Sequence, residues 1–269
     1  MNETGLPPES SGPSEPNEPN EPTAKPPLVL LHAFPLDARL WDLVRAPLAE
    51  RFRVITPDQR GLGRSPLPET DAEPGLEQAA RDVLALLDKL ELDRVILGGC
   101  SMGGYLAMAI LRLAPERVAG LVLIDTRATA DTPEAVEMRE EVAKRAETEG
   151  VTGWLADANL PKLLADTASP DVFARVREII DAQSPAGVAW GSRAIGARPD
   201  SVELLREVDV PALVIVGEQD ILTPLDAANT MVEALPNATL VVLPDVGHLP
   251  PLEAPAGVVE AILGWHPVS

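Results

Sequence analysis

Cysteine occurs once, at Cys100, so no disulfide can close within the chain; a reducing compartment suits such a protein. Histidine is nearly as scarce, with three scattered copies, and no zinc-binding spacing can be assembled from them. Aromatic side chains are few (4 Trp, 3 Phe and 1 Tyr), so an apolar pocket must be lined mainly by Leu, Val, Ile, Met and Ala. Positive charge is short as well: 22 Lys and Arg stand against 42 Asp and Glu, a net charge of −20. With no basic cluster, nucleic acid and anionic membrane are poor partners. The opening Met1-Asn2-Glu3 shows no basic segment followed by an apolar one, hence no visible secretory signal. The longest uncharged run, 95–111, is interrupted by Gly98, Gly99, Gly103 and Gly104 and is short for a membrane span. The expectation is a soluble, cytoplasmic protein of undetermined oligomeric state.

What the chain does have is length for one α/β domain and an ordinary apolar share of 45%. Residues 1–26 read as a disordered Pro/Glu-rich tail, because the repeat over 13–22 has almost nothing apolar to bury. Beyond it, short apolar runs at 28–31, 54–56, 95–97, 121–124, 213–216 and 240–243 are continuous rather than alternating, as a parallel sheet covered on both faces requires. Helical patterns separate them, over 40–51, 76–90, 101–113, 225–235 and 255–265. Alternation of this kind predicts a doubly wound, mostly parallel sheet of about six strands. The stretch 130–208 breaks the rhythm with helical segments only, at 133–149, 154–165, 171–183, 185–197 and 201–207. It reads as a helical lid inserted between a first core part, 27–129, and a second, 209–269; plain crossover helices are the alternative.

Chemistry concentrates after the third run. Gly99-Cys100-Ser101-Met102-Gly103 stands between a buried strand and a helix, the context in which G-x-S-x-G carries a nucleophile. A serine on so sharp a turn forces its neighbours into close backbone approach, which explains the glycines. Its hydroxyl needs a base within hydrogen-bond reach. His32 ends the first strand and His266 lies at the terminus; His248, directly after the last strand and preceded by Gly247, is the expected base. A carboxylate must fix the tautomer of that base. Asp220 follows the fifth strand, and the order Ser, Asp, His suits this arrangement. Glu218 is a weaker rival, and Asp125, at the end of the fourth strand, a stronger one. The amides of Met102 and Phe34 are the expected oxyanion donors. Trp154, Leu155, Phe173 and Trp190, in the insertion, are candidates for the substrate pocket, and Arg193 and Arg198 could meet a carboxylate. In Asp58-Gln59-Arg60-Gly61-Leu62-Gly63-Arg64-Ser65, Asp58 and Arg60 are expected to pair; no phosphate-loop Gly-Lys-Ser/Thr is present.

On these residues, together with His32-Ala33-Phe34-Pro35-Leu36-Asp37, Gly217-Glu218-Gln219-Asp220 and Gly247-His248, the chain from 27 onward resembles the α/β-hydrolase superfamily. Within it, the esterase, 3-oxoadipate enol-lactonase and non-haem haloperoxidase group is most similar. The resemblance implies an α/β-hydrolase fold with Ser101, Asp220 and His248 as catalytic residues, Phe34 and Met102 as oxyanion donors, and neither metal nor cofactor. Two departures stand out. Ala33 replaces the usual glycine, and the antiparallel strand pair that usually opens the fold is missing, leaving the second strand as an exposed edge. The implied activity is cleavage of a small carboxylic ester or lactone through an acyl-enzyme. Perhydrolysis of the haloperoxidase kind or carbon–carbon bond hydrolysis with the same triad, and a non-catalytic small-ligand binder, are the other readings.

Overall fold

The computed structural model describes residues 25–69 and 73–265. Six strands form one sheet: β1 (Pro27–Leu31), β2 (Arg53–Ile55), β3 (Val95–Cys100), β4 (Val118–Ile124), β5 (Ala212–Gly217) and β6 (Ala238–Leu243). Every pairing is parallel and the order is β2-β1-β3-β4-β5-β6. Burial on both faces holds for the inner strands, with β3 and β5 buried at every position; the runs expected to be buried at 54–56 and 240–243 are instead the two edges, where no residue of β2 and only Leu243 of β6 is buried. Among the described residues no antiparallel strand precedes β1, and β2, three residues long, is one edge of the sheet, with β6 the other. The brevity of β2 limits the unpaired backbone on display. The tail expected over 1–26 lies, apart from Lys25 and Pro26, outside the described residues, as does His266.

Helices cover the sheet. On one side α1 (Asp42–Leu48) packs against α11 (Pro255–Gly264). On the other, α2 (Leu76–Lys89) packs on α3 (Met102–Leu113), and α8 (Val202–Arg206) on both α3 and α9 (Leu225–Ala234). The amphipathic reading of α2 holds, with Leu76, Ala80, Val83 and Leu87 buried. The helix expected over 40–51 is shorter and follows a 3-10 turn, Ala38–Trp41. Pro47, inside α1, and the bond from Phe52 N–H to the Leu48 carbonyl mark where it yields to the turn before β2. The short α10 (Pro250–Glu253) was not anticipated.

Between β4 and β5 come α4 (Pro133–Glu149), α5 (Trp154–Leu163), α6 (Pro170–Asp181), α7 (Pro185–Gly196) and α8. Local signals start three of them: Thr132, Ser169 and Ser184 each accept a backbone N–H in the first turn, and each is followed by proline at the first helical position. No described helix is long and apolar enough to cross a membrane.

Parallel strands place all their carboxyl ends on one edge. β1 has β2 on one side and β3 on the other, so a crevice opens where the winding reverses, outside the ends of β1 and β3. Ser101 follows β3 directly.

Candidate active site

Ser101 occupies the sharp turn between β3 and α3, with φ 53° and ψ −115°. Few non-glycine residues accept the positive φ; here the turn is held by its neighbours. The Ser101 N–H donates to the Ile124 carbonyl at 2.9 Å, and the Thr126 hydroxyl donates to the Ser101 carbonyl at 2.8 Å. The flanking glycines are sterically required. A Cβ on Gly99 would lie 2.1 Å from the Gly103 carbonyl carbon, and one on Gly103 would lie 2.0 Å from the Leu31 oxygen.

Two distant segments meet this hydroxyl. His248 follows β6 and presents Nε2 2.8 Å from Ser101 Oγ. Its Nδ1 lies 2.7 Å from Asp220 Oδ2. Asp220 follows β5, and its loop wraps the carboxylate: Oδ1 accepts from the N–H groups of Leu222 (2.8 Å) and Thr223 (3.1 Å), and Oδ2 from the Thr223 hydroxyl (2.5 Å). Burial pushes the Asp220 pKa up, but the hydrogen bond and charge of His248 and the bonds from Thr223 and Asp125 outweigh it, leaving the carboxyl well below the usual range. A carboxylate that stays ionised beside Nδ1 keeps the proton on that nitrogen and leaves Nε2 free to accept one from Ser101.

Asp125, the rival acid, is also there. It follows β4 at φ 39°, fully buried, with its Oδ1 accepting from the Gly217 N–H at 2.9 Å. Its Oδ2 receives no hydrogen bond, yet ligand atoms of Asp125, Asp220 and His248 all lie within 4.8 Å of one another. Burial first, and then the charge of Asp220, raise the Asp125 pKa well above the carboxylate range. The two acids therefore share a single negative charge, carried by Asp220, with neutral Asp125 able to donate to it. A stability prediction follows from the sign. Asp125 takes up a proton on folding, so its contribution is favourable below the unfolded pKa and is lost as pH rises through the folded one, by about 1.4 kcal/mol per pH unit. Asp125→Asn keeps an acceptor for Gly217 and an N–H for Asp220 without that cost. Calorimetry should find the variant's Tm advantage over wild type growing from pH 4.5 to pH 8; a pH-independent difference would mean that Asp125 is ionised in the fold.

Other candidates have structural partners. His32 is buried, and its Nε2 accepts from the Gln59 N–H at 2.9 Å. The proton must then sit on Nδ1, 3.0 Å from the Ala33 carbonyl oxygen. Burial lowers its pKa, so it is a neutral brace between the loops after β1 and β2. Cys100 is buried with a pKa raised by burial and by nearby acids, an inert thiol. The amides of Phe34 and Met102 donate to no acceptor among the described residues. Glu253, on α10, was missed in the sequence: it accepts from the N–H groups of Gly247 (3.1 Å) and Leu249 (2.9 Å), on both sides of His248, and from Ala165 (2.8 Å). Only the folded loop brings these three donors to one carboxylate.

A cavity of about 260 Å³ opens above Ser101 and His248. Larger ones exist elsewhere, including 660 Å³ beside the β2 edge, but Ser101 does not line them. The insertion lines the cavity with helical stripes: Ala135, Met138, Arg139 and Val142 of α4, Leu155, Asn159, Lys162 and Leu163 of α5, and Ser192 and Ile195 of α7. Phe34 contributes from the loop after β1.

Several expectations need correction here. Trp154, Phe173 and Trp190 do not line this cavity. Trp154 points its Nε1 at the Gly150 carbonyl and stacks under Arg145, Trp190 is buried near Arg60, and Phe173 packs against the core. Arg193 is spent on Glu140 and Glu147, and Arg198 on Asp131. Nor do Asp58 and Arg60 pair. Asp58 accepts from the N–H groups of Ala38 and Arg64 and pairs with the Arg64 side chain, while Arg60 reaches across to Asp82 on α2.

A family model described as the alpha/beta hydrolase fold matches residues 26–255. The chain is 41% identical to the solved structure of a thermophilic esterase from Thermogutta terrifontis with malate bound, covering 90% of this chain and 89% of that one, with a TM-score of 0.86. It is 31% identical to pimeloyl-(acyl-carrier protein) methyl ester esterase of Nitrosomonas europaea, over 87% of this chain and 93% of the relative. It is also 32% identical to the dihydrolipoyllysine-residue acetyltransferase component of an acetoin cleaving system from Pseudomonas putida, over 89% of this chain, but spans only 63% of that protein. Further relatives are named as an enol-lactonase and a non-heme chloroperoxidase.

Proposed function

The chain belongs to the α/β-hydrolase family, and from that premise we propose that it is a serine hydrolase cleaving a small carboxylic ester or lactone through an acyl-enzyme. The reading rests above all on the continuous relay from Ser101 Oγ to His248 Nε2 at 2.8 Å and from His248 Nδ1 to Asp220 Oδ2 at 2.7 Å.

Neutral His248 takes the Ser101 proton as Oγ attacks the substrate carbonyl. The amides of Met102, at the start of α3, and Phe34 hold the oxygen that becomes negative. Asp220 stabilises the imidazolium, which then protonates the leaving alcohol. Water, deprotonated by the same histidine, attacks the acyl-enzyme and releases the acid. Glu253 and Thr223 are positioning residues: one ties down the histidine loop, the other the acid. The helices between β4 and β5 act as a lid that excludes water from the reaction.

A fluorophosphonate probe tests this without knowledge of the substrate. The full chain is expected to take up one probe per molecule, on Ser101, as read by intact mass and peptide mapping. Absence of labelling on active-site serine would point instead to a fold that binds without catalysing.

A further inference from the structure

Apart from the base His248, every ionisable side chain lining the cavity over Ser101 is a cation or the phenol of Tyr105: Arg127, Arg139 and Lys162 contribute charge, and no Asp or Glu lines it. In a chain with 42 acids and 22 bases, this inverts the overall composition. The three cations differ in what already neutralises them. Arg139 pairs with Asp131 at 3.1 Å, an acid it shares with Arg198. Arg127 and Lys162 have no carboxylate partner among the described residues. Arg127 is nevertheless fixed, because its Nη2 donates to the carbonyl of Leu222, two residues beyond Asp220. Its Nε is buried and has no acceptor. A buried donor left unmade is costly, and a guanidinium is suited to a planar carboxylate. Lys162 stands at the exposed rim of the cavity, on α5 next to Leu163, whose carbonyl accepts the His248 N–H at 3.1 Å. Both cations thus line the cavity that Ser101 and His248 share.

We propose that the substrate's acyl part carries a second, free carboxylate, held by Arg127 and Lys162 while the ester carbonyl sits at Ser101: a half-ester of a dicarboxylic acid. The proposal rests on the serine-hydrolase reading above. Cleavage breaks the acyl–alkoxy bond, and water gives its hydroxyl to the acyl carbon and its other proton to the leaving alcohol. The products are a dicarboxylate and an alcohol. The acidic surface repels such a substrate at long range, so recognition depends on these close contacts.

Monoethyl adipate and diethyl adipate share one acyl chain and differ in the terminal charge. Hydrolysis of each by the full chain, followed in a pH-stat, should show kcat/KM roughly tenfold or more in favour of the monoester, the worth of one charge-assisted hydrogen bond. Lys162→Gln and Arg127→Gln should each lower the monoester-to-diester ratio by roughly tenfold, and Lys162→Glu should bring it below one. Lys162 is exposed, so its variants do not threaten folding. Equal kcat/KM for the two esters in the wild type, or a ratio unmoved by Lys162→Glu, overturns the proposal. Fluorophosphonate labelling separates the two failures: a labelled Ser101 with a ratio of one removes the carboxylate subsite alone, whereas an unlabelled Ser101 removes the hydrolase reading and the subsite with it.

Discussion

Ser101→Ala is expected to lower kcat on p-nitrophenyl acetate by at least about 10⁴-fold while moving KM by no more than a few-fold. The methyl group of alanine fits the same elbow, since the contacts that define the turn belong to the backbone and to Gly99 and Gly103. What disappears is the only hydroxyl that His248 Nε2 touches among the described residues. The Phe34 and Met102 amides, the proposed oxyanion donors, and the cavity remain, so a residual rate over water should survive, carried by binding and electrostatics alone. A variant retaining near wild-type turnover would place the chemistry elsewhere, and the relay described above would be a structural coincidence.

The second large effect separates the two buried acids. Asp220→Asn should reduce kcat by about 10⁴-fold near neutral pH, whereas Asp125→Asn should cost less than about tenfold. The difference lies in which carboxyl carries charge. Asp220 is 2.7 Å from His248 Nδ1 and is held ionised by His248 and Thr223. An amide there can present its NH₂ to the ring, favouring the wrong tautomer and leaving the imidazolium without a counter-charge. Asp125 is kept protonated by burial and by its ionised neighbour, so an amide reproduces its hydrogen bonding without changing the charge of the site. Parallel measurements of kcat on both variants decide the matter. If Asp125→Asn is the more damaging substitution, the acid assignment passes to the strand β4 side.

The fold was largely legible before any coordinates. Continuous apolar runs separated by helical patterns give six parallel strands because a sheet covered on both faces needs no polar alternation. The Thr-Pro and Ser-Pro starts at 132–133, 169–170 and 184–185 mark the insertion helices by local capping chemistry, which depends on neighbours in the chain. The meeting of Ser101 with the segments around 220 and 248 was foreseeable for a topological reason: parallel strands deliver their following loops to the same edge. What the one-dimensional pattern left open was the choice between Asp220 and Asp125. Both follow central strands, and their ionisation differs through the hydrogen bond and charge of His248, the Thr223 donor and the depth of burial.

Pocket chemistry was the least legible part. Of the candidates Trp154, Leu155, Phe173 and Trp190, only Leu155 lines the cavity; α5 presents it there together with Asn159 and Lys162 and leaves Trp154 on the Arg145 side. Arg193 and Arg198 looked available until Glu140, Glu147 and Asp131 arrived from distant positions. The six parallel strands, the serine elbow and the chain order of the three catalytic candidates thus follow from the sequence alone, because each rests on local spacing or on the shared edge of a parallel sheet. The identity of the charged acid, the grip of Glu253 on the histidine loop, and the cavity cations that have no carboxylate partner among the described residues were decided only by the tertiary structure. Each depends on which groups from remote segments neutralise one another, and that is a property of packing in three dimensions.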